Sequence, residues 1–312
     1  MKNIFVIYLL ILISCTTVIE LDIPYESQVT VNSIFTPETF MSVTLTEGKS
    51  VTSEIYGFDS ISDALVKVYE DGQFLTEMEM AFPSLYTSTL FKPSAGSSYE
   101  LQIFRPDHET ITAETTIPME YPVYSLTDVH QDNELNNYEF TITLNDRPGK
   151  TYYEFMLKGY STFRYEEDSL GNYSIVPNGE MNNLYLVSAD PILGNVLTED
   201  YHSTLLFEDK YFSEKSLTFT FRTAYLIFSI SSSASQPTPT TRPHPEFLQF
   251  KLEGRIVPEE YYLYMKTVEK QAKNNTDPFG EPVMTYTNVQ NGLGLFSSYN
   301  GVTMDLNLEY NP

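Results

Sequence analysis

The sequence contains no tryptophan, and its one cysteine among 312 residues is Cys15. A single cysteine can form no disulfide within the chain and no multi-thiolate metal site. Basic residues are also scarce, because 18 Lys and Arg stand against 42 Asp and Glu and give a formal charge of −24. Binding to a phosphate backbone needs clustered basic side chains, and no such cluster is present. We therefore expect no nucleic-acid partner.

The sequence motifs of common enzyme classes are also missing. There is no G-x-S-x-G elbow, no phosphate-binding loop and no dinucleotide fingerprint. The four histidines do not pair at the spacing of a helical zinc site; they are His108, His130, His202 and His244. We expect none of them to be a metal ligand, no bound cofactor, and a protein that is not an enzyme.

Two kinds of acidic group leave alternatives open. Asp128, Asp132 and Glu134 offer oxygen ligands for calcium, but they lack the spacing and glycine of an EF-hand, and a solvated loop is the simpler interpretation. A glycosidase needs two carboxyl groups several ångströms apart. The candidates for such a pair are Glu166 and Glu167 with Asp168, and Glu199 with Asp200. With 42 acidic residues in the chain, chance placement is the simpler explanation of these groups.

The first residues have the composition of an export signal. Lys2 is the basic start, residues 4–13 form an unbroken apolar run, and Ser14 is the small residue before the cleavage position. The run is shorter than the roughly 20 apolar residues that a spanning helix needs. The sequence therefore predicts a signal peptide over residues 1–14.

Cys15 stands at the cleavage position of this signal. The stretch Leu12-Ile13-Ser14-Cys15 resembles the bacterial lipobox, in which the cysteine is acylated and becomes the first residue of the mature chain. A multiply acylated cysteine is a stable membrane anchor. We therefore predict lipidation at Cys15, with an ordinary secretory signal and a coincidental cysteine as the alternative.

Residues 25–118 follow a short predicted tether over residues 15–24 and alternate between apolar and polar positions with a period of two, which indicates β-strands. Asp71-Gly72 predicts a tight hairpin, and Leu65 is expected on the face opposite Val66 and Val68. Seven short strands in this span are typical of an immunoglobulin-like β-sandwich. The strands are predicted over 28–34, 40–45, 64–69, 73–79, 85–91, 98–104 and 111–117.

Residues 119–312 predict a larger C-terminal β domain with longer connections and one amphipathic helix. Strands are predicted over 138–144, 152–160, 184–187, 217–221, 225–231 and 247–256, and residues 232–245 contain four prolines that predict an exposed loop. The helix follows Pro258 and ends near Asn274, with an apolar stripe that either packs on a core or binds a partner. The stripe consists of Tyr261, Met265, Val268 and Ala272.

Glycines near the end of the sequence indicate close backbone packing. Gly292-Leu-Gly294-Leu-Phe296 predicts a tight approach between backbones, and Asn300-Gly301 predicts a closing hairpin.

Aromatic residues are abundant, with 24 tyrosines and 20 phenylalanines. Exposed tyrosines can stack on sugar rings, whereas buried ones simply fill a core. Asp59-Ser60-Ile61 and Asp168-Ser169-Leu170 resemble a short bacterial O-glycosylation signal, which makes Ser60 and Ser169 candidate modification sites.

Several segments together resemble a family of Bacteroidota lipoproteins known by a domain-of-unknown-function label, number 4249. The segments are Cys15 with Ile19-Glu20-Leu21, Val29-Thr-Val31-Asn32, Ala64-Leu-Val66-Lys-Val68, Thr115-Thr116-Ile117-Pro118, and Pro282-Val283 with Tyr286-Thr-Asn288-Val-Gln-Asn291-Gly292-Leu-Gly294-Leu-Phe296. The resemblance covers essentially the whole mature chain, and its C-terminal stretch is the most specific part.

The resemblance implies a lipid-anchored protein of the outer membrane, on its periplasmic or cell-surface face, with a role accessory to a TonB-dependent nutrient transporter. It implies no catalytic residues. The residues that follow Cys15 lack the dense acidic run of a strong surface-export signal, so the resemblance does not decide between the two faces. A surface glycan-binding protein and an envelope hydrolase are the alternatives, and the fold alone would not separate the three.

Overall fold

The chain is mainly β in a computed structural model, as the sequence predicts. The predicted signal peptide, Cys15, the tether and the proline-rich segment all lie outside the described residues. No helix within the described ranges is long and apolar enough to cross a bilayer. The structure describes residues 27–49, 57–106, 108–132, 137–167, 169–170, 173–188, 190, 193, 202–212, 215–224, 229–231, 247–275, 280–281 and 283–309.

Eight strands precede residue 118. They are β1 (Val29–Phe35), β2 (Ser42–Gly48), β3 (Phe58–Ser60), β4 (Leu65–Glu70), β5 (Gln73–Phe82), β6 (Leu85–Thr87), β7 (Ser98–Phe104) and β8 (Ile111–Thr116).

Later elements include a 3₁₀ turn at Asp209–Tyr211 and one described α-helix, α1 (Glu259–Asn275). The strands before α1 are β9 (Val123–Asp132), β10 (Asn137–Asn145), β11 (Tyr152–Gly159), β12 (Thr162–Glu167), β13 (Tyr173–Pro177), β14 (Asn182–Asn183), β15 (Leu186–Val187), β16 (Leu205–Glu208), β17 (Ser216–Thr223), β18 (Ser229–Ser231) and β19 (Phe247–Val257). The strands after α1 are β20 (Val289–Gln290), β21 (Leu293–Ser298) and β22 (Asn300–Glu309).

Ten strands form one sheet, called the N-terminal sheet below. Their order is β20-β8-β7-β4-β5-β6-β2-β1-β21, with β3 paired to β2. Val66 and Val68 are buried and Leu65 is exposed, which confirms the predicted alternation. Asp71 and Gly72 both have positive φ and form the predicted hairpin between β4 and β5. The predicted strand over 85–91 is too long, because the chain leaves the sheet after Thr87.

The two outermost strands of the N-terminal sheet, β20 and β21, come from the far end of the sequence. β21 pairs in parallel with β1, and β20 pairs antiparallel with β8. The Asn288 side chain donates to the backbone oxygens of Glu114 on β8 and Phe296 on β21, at 3.1 and 2.7 Å. Its own oxygen accepts from the Phe296 amide at 3.1 Å. Asn288 therefore links β8, at one side of the N-terminal sheet, to β21, at the other.

The parallel pairing of β21 with β1 requires a glycine at position 294. Its φ is +102°, and a Cβ at this position would lie 2.0 Å from the backbone oxygen of Val31 on β1. Any other residue would combine an unfavourable backbone conformation with a clash that β1 could not relieve without moving. The close backbone approach predicted from the glycine-rich stretch is confirmed.

Most of the remaining strands form a second unit, called the C-terminal sandwich below. A four-stranded sheet, β15-β17-β10-β9, and a five-stranded sheet, β14-β11-β19-β22 with β16 on β11, share one apolar core. Phe155 of one sheet contacts Phe219 of the other with ring centroids 5.4 Å apart. The three-stranded sheet β13-β12-β18 packs on the same core through Phe163 and Ile175.

The predicted hairpin at Asn300-Gly301 is wrong. β21 pairs with β1 in the N-terminal sheet, whereas β22 pairs with β19 in the C-terminal sandwich. The chain crosses between the two units at Tyr299, whose amide donates to the Phe35 oxygen at 2.9 Å. The immunoglobulin-like assignment for residues 25–118 and the division at residue 118 stay predictions.

Candidate functional site

Helix α1 lies where the N-terminal sheet meets the C-terminal sandwich. Tyr261 on its first turn packs in a small apolar cluster with Leu295 of the N-terminal sheet and with three residues of the sandwich side, Tyr152, Leu206 and Val257. The helix begins directly after Pro258 and carries Glu259 and Glu260 in its first turn, as the sequence predicts. Tyr261 is buried, whereas Ala272 at the far end of the predicted stripe is exposed. Only the first part of the apolar face is covered.

A fully buried carboxylate stands beside this helix. Glu154 on β11 has no exposed surface, and the Tyr261 hydroxyl donates to both of its oxygens at 2.9 and 3.1 Å. The guanidinium of Arg255 on β19 donates to Glu154 Oε2 at 3.2 Å. Register explains this pairing, because Glu154 and Arg255 lie directly opposite each other on adjacent strands.

Arg255 is enclosed by further partners. Its Nε donates to Glu253 Oε1 at 2.7 Å, and Glu253 Oε2 accepts from Lys158 at 3.0 Å. The Tyr299 ring covers the guanidinium at 3.9 Å, an arrangement that favours a cation. We call Glu154, Glu253, Arg255, Tyr261 and Tyr299 the junction cluster.

Burial and charge act against each other within the junction cluster. Burial raises the pKa of Glu154 above its ordinary value, although Arg255 and Tyr261 oppose the shift. Burial alone would lower the pKa of Arg255, but hydrogen bonding to Glu253 and the charge of Glu154 raise it overall. A buried ion pair of this kind costs desolvation free energy and is tolerated where its hydrogen bonds are satisfied. The cluster is therefore suited to fixing geometry rather than to adding stability.

The two glutamates at the start of α1 bind to different units. Glu259 accepts from Lys150 at 2.7 Å and from the Tyr152 hydroxyl at 2.6 Å; Tyr152 is the first residue of the C-terminal sandwich strand β11, and Lys150 lies just before it. Glu260 accepts from the Thr115 hydroxyl on β8 of the N-terminal sheet at 2.5 Å. The helix start therefore holds the two units through adjacent side chains.

A cleft of about 280 Å³ lies between α1 and β16, beside the junction cluster. Thr204, whose side chain acts to lower the pKa of Glu154, also lines this cleft. Glu269 faces His202 across 3.7 Å and lies 3.5 Å from Lys266 on its own helix. The other lining residues include Tyr185, Ser203, Met265 and Val268. The cleft thus offers hydrogen-bonding groups next to apolar side chains.

The candidate residues from the sequence are scattered. His108 lies beside Arg105, His130 is exposed on β9, and His202 lines the cleft. Among the described residues, no three His, Cys, Asp or Glu side chains group as metal ligands would. Asp128 and Asp132 both lie on β9, so the expected solvated loop is a strand at these positions. His244 and Glu134 fall outside the described residues.

The remaining candidates do not converge either. Ser60 is exposed at the end of β3, and Ser169 is exposed in a turn. Glu166 pairs with Arg164 at 3.4 Å. Asp168, Glu199 and Asp200 lie outside the described residues, so the carboxylate separation that a glycosidase needs is not defined for them.

Sequence reasoning missed Glu154, although a signal for it was present. It is the one charged residue in the run Tyr152-Tyr153-Glu154-Phe155-Met156-Leu157, where residues on both faces of β11 are buried. A charge in a strand buried on both faces needs a partner. That pattern singles out Glu154, but it does not identify Arg255.

The fold and the junction cluster together define a mainly β protein in which one helix joins a ten-stranded sheet to a β-sandwich. The chain belongs to the family described as Domain of unknown function (DUF4249), whose model matches residues 16–304. No curated protein matches the sequence.

Among solved structures, the chain is similar to a crystal structure from Corynebacterium diphtheriae described as that of a candidate membrane-anchored protein. The identity is 11% and the TM-score is 0.21 over 75% of this chain. The match covers 55% of the other chain, so this protein spans about half of that one. At that TM-score the likeness carries no argument about fold or function.

Proposed function

We propose that the protein is an outer-membrane lipoprotein, anchored through acylated Cys15, that acts without catalysis as a binding or accessory component beside a TonB-dependent nutrient transporter. The observation that carries the anchor is the position of Cys15, because the chain's one cysteine stands at the end of an export signal. The described chain starts at Ser27, twelve residues later, and enters β1 two residues beyond it. The tether between anchor and sheet is therefore short.

The contacts made by the buried charged side chains Glu154 and Arg255 support a non-catalytic role. Both oxygens of Glu154 accept hydrogen bonds from within the protein, and Tyr299 covers Arg255. Groups engaged and enclosed in this way hold α1 against β11 and β19 instead of facing a substrate. A binding or accessory role requires only that the two units keep a fixed arrangement.

Purification from the native membrane tests the proposal. A C-terminally tagged chain is solubilised from outer membranes in mild detergent, and co-purifying proteins are identified by mass spectrometry. We expect one transporter in near-stoichiometric amount. The Cys15→Ser chain is the matched control, since it should leave the membrane fraction and lose the transporter. Recovery of the wild-type lipoprotein alone would contradict a stable transporter complex.

Glycan binding is a second candidate, supported by one side chain at the cleft. Tyr185 is 62% exposed and lines the same cleft as Thr204 and Glu269, so a sugar ring could stack on it and hydrogen-bond within the cleft. Titration with soluble glycans checks this by calorimetry. Tyr185→Ala should abolish the heat of binding, whereas Tyr121→Ala, at a tyrosine that is 56% exposed and does not line the cleft, should leave it unchanged. No heat with the wild-type chain would remove this candidate.

A further inference from the structure

The chain enters the N-terminal sheet at the end that lies away from α1. Ser27 hydrogen-bonds to Glu47 near the end of β2, two residues before β1 begins. The opposite end carries Thr115, which contacts Glu260 of α1 and Ser298 at the end of β21. We call the end at Ser27 the exit end, because the chain leads from there back to Cys15.

Strand register places several other chain segments at the exit end. β2 ends at Gly48, which pairs with Phe58 at the start of β3. β5 ends at Phe82, in the turn that leads into β6. β21 begins at Leu293, which pairs with Thr30 near the start of β1. The exit end is therefore built from strand ends and turns of the same sheet.

Large apolar side chains are exposed at the exit end. Phe58 is 70% exposed and Phe82 is 68% exposed, the two highest values among the phenylalanines of the described residues. Leu293 and Leu65, the first residue of β4, are 44% and 42% exposed at the same end. Exposed phenylalanine side chains gain free energy when they leave water for an apolar layer.

Charged side chains at the exit end are paired with one another. Arg105 contacts Glu47 at 2.8 Å and Asp63 at 2.9 Å. Lys49 contacts Asp59, the neighbour of Phe58, at 2.9 Å. Local pairing reduces the repulsion that a chain of net charge −24 would otherwise meet at an anionic lipid surface.

The length of chain between the anchor and the sheet limits the distance to the bilayer. Ser27 lies twelve positions after Cys15, and at full extension these twelve steps span about 43 Å. A relaxed chain is much shorter than this limit. With Cys15 in the bilayer, the exit end is the part of the N-terminal sheet that is held nearest to lipid.

We propose that the exit end lies against the lipid surface, with Phe58 and Phe82 in the interfacial layer of the bilayer. This inference rests on the proposed lipidation of Cys15. The lipid anchor supplies the attachment, and the two phenylalanines set the orientation. The C-terminal sandwich and the cleft beside α1 then point away from the membrane.

The absence of tryptophan permits a direct test. Phe58→Trp and Phe82→Trp each place a single tryptophan, which can be excited selectively over the 24 tyrosines, in the full lipidated chain. The chain is reconstituted into phosphatidylcholine vesicles with or without brominated acyl chains. The matched control is Phe74→Trp, at a side chain that is 56% exposed beside the Asp71-Gly72 turn, away from the exit end. We expect bromine to reduce the emission of both exit-end variants by about half or more, because interfacial aromatic rings reach the acyl boundary. The control should keep its emission.

Two measurements separate failure of the anchor from failure of the orientation. Vesicle flotation and the mass of the N-terminal peptide report acylation independently of fluorescence. Without flotation and an acyl mass, the proposed lipoprotein itself fails. With both present, equal quenching of Phe58→Trp and Phe74→Trp would overturn the orientation. So would shielding of Phe58→Trp only when the co-purified transporter is added, since that result assigns the surface to protein instead of lipid.

Discussion

The Tyr261 hydroxyl lies 2.9 Å from Glu154 Oε1 and 3.1 Å from Oε2, and so one side chain of α1 engages both oxygens of a carboxylate buried in β11. This contact fixes the rotation of the helix about its axis and its distance from the C-terminal sandwich. Because Glu260, the preceding residue, contacts the N-terminal sheet, the same turn of helix sets how the two units meet.

Removal of the Tyr261 hydroxyl should destabilise the protein. Tyr261→Phe leaves a buried carboxylate short of a donor, and we expect the free energy of unfolding to fall by roughly 1–3 kcal/mol. Urea denaturation followed by circular dichroism measures the change. Tyr264→Phe on the same helix is the control, because none of the described contacts involves its hydroxyl. Equal loss in the two variants would contradict the role of the Tyr261–Glu154 contact.

Removal of Arg255 alone should lower the free energy of unfolding more than removal of both charges of the Glu154–Arg255 ion pair. Arg255→Met leaves Glu154 buried without its cation, and we expect a loss of about 3–5 kcal/mol. The double variant Glu154→Gln with Arg255→Met should recover part of that loss, since the remaining amide is neutral. A double variant less stable than Arg255→Met would show that Glu154 does not need Arg255.

Glu259 and Glu260 should affect stability with opposite dependence on pH. Burial raises the pKa of Glu260 in the folded protein, and so ionisation there opposes folding as pH rises from about 4.5 through the raised pKa. The hydrogen bond from Lys150, with that from Tyr152, lowers the pKa of Glu259, which therefore stabilises the fold above 4.5 and loses that contribution as pH falls.

Substitution by glutamine separates the two effects. Glu260→Gln keeps an acceptor for Thr115, and its stability relative to wild type should increase between about pH 4 and pH 7 in urea titrations. Glu259→Gln should show a relative loss that develops as pH rises to about 4.5 and stays constant above it. A common direction of change in the two variants would disprove the assignment.

Gly294 should tolerate no side chain. Gly294→Ala combines a positive φ with a Cβ 2.0 Å from the Val31 oxygen, and we expect a loss of roughly 3 kcal/mol or more in thermal or urea unfolding. Gly72→Ala supplies the control, because Gly72 also has positive φ but a Cβ added there would meet no atom within 4 Å. That variant should lose only about 1–2 kcal/mol from backbone strain.

Asn288 should be needed for the link across the sheet edges. Asn288→Ala removes bonds to three backbone groups, and we expect a loss of about 2 kcal/mol or more, with faster amide hydrogen exchange in β20 and β21. Asn182→Ala removes a single exposed bond to Glu180 and should change neither quantity appreciably. Unchanged exchange in Asn288→Ala would mean that backbone pairing alone holds the edges.

Much of the local structure could be predicted because it follows from local patterns. The alternation around Leu65, the Asp71-Gly72 turn and the start of α1 after Pro258 each depend on a few neighbouring residues. The partner of β21 could not be predicted, because period-two alternation gives the faces of a strand but not the strand it pairs with. The hairpin at Asn300-Gly301 failed for this reason, as turn residues there begin a strand of a different sheet.

In the candidate site, too, some features follow from local sequence and others depend on the tertiary structure. Glu154 could have been identified from its place in an apolar strand, but its contacts with Arg255 and Tyr261 depend on strand register and on how α1 packs. Lipidation at Cys15 depends on a linear motif and stays a prediction.

The parallel pairing of β21 with β1 also sets an order of events in biogenesis. The N-terminus of a chain is synthesised first, so β1 and β8 are made long before residues 289–298, which pair with their outer edges. Until residues 289–298 arrive, both strands present unpaired edges that can recruit other chains. The N-terminal sheet is therefore completed late although most of its strands are made first, and a chaperone that shields open strand edges would be most valuable to this protein during that interval.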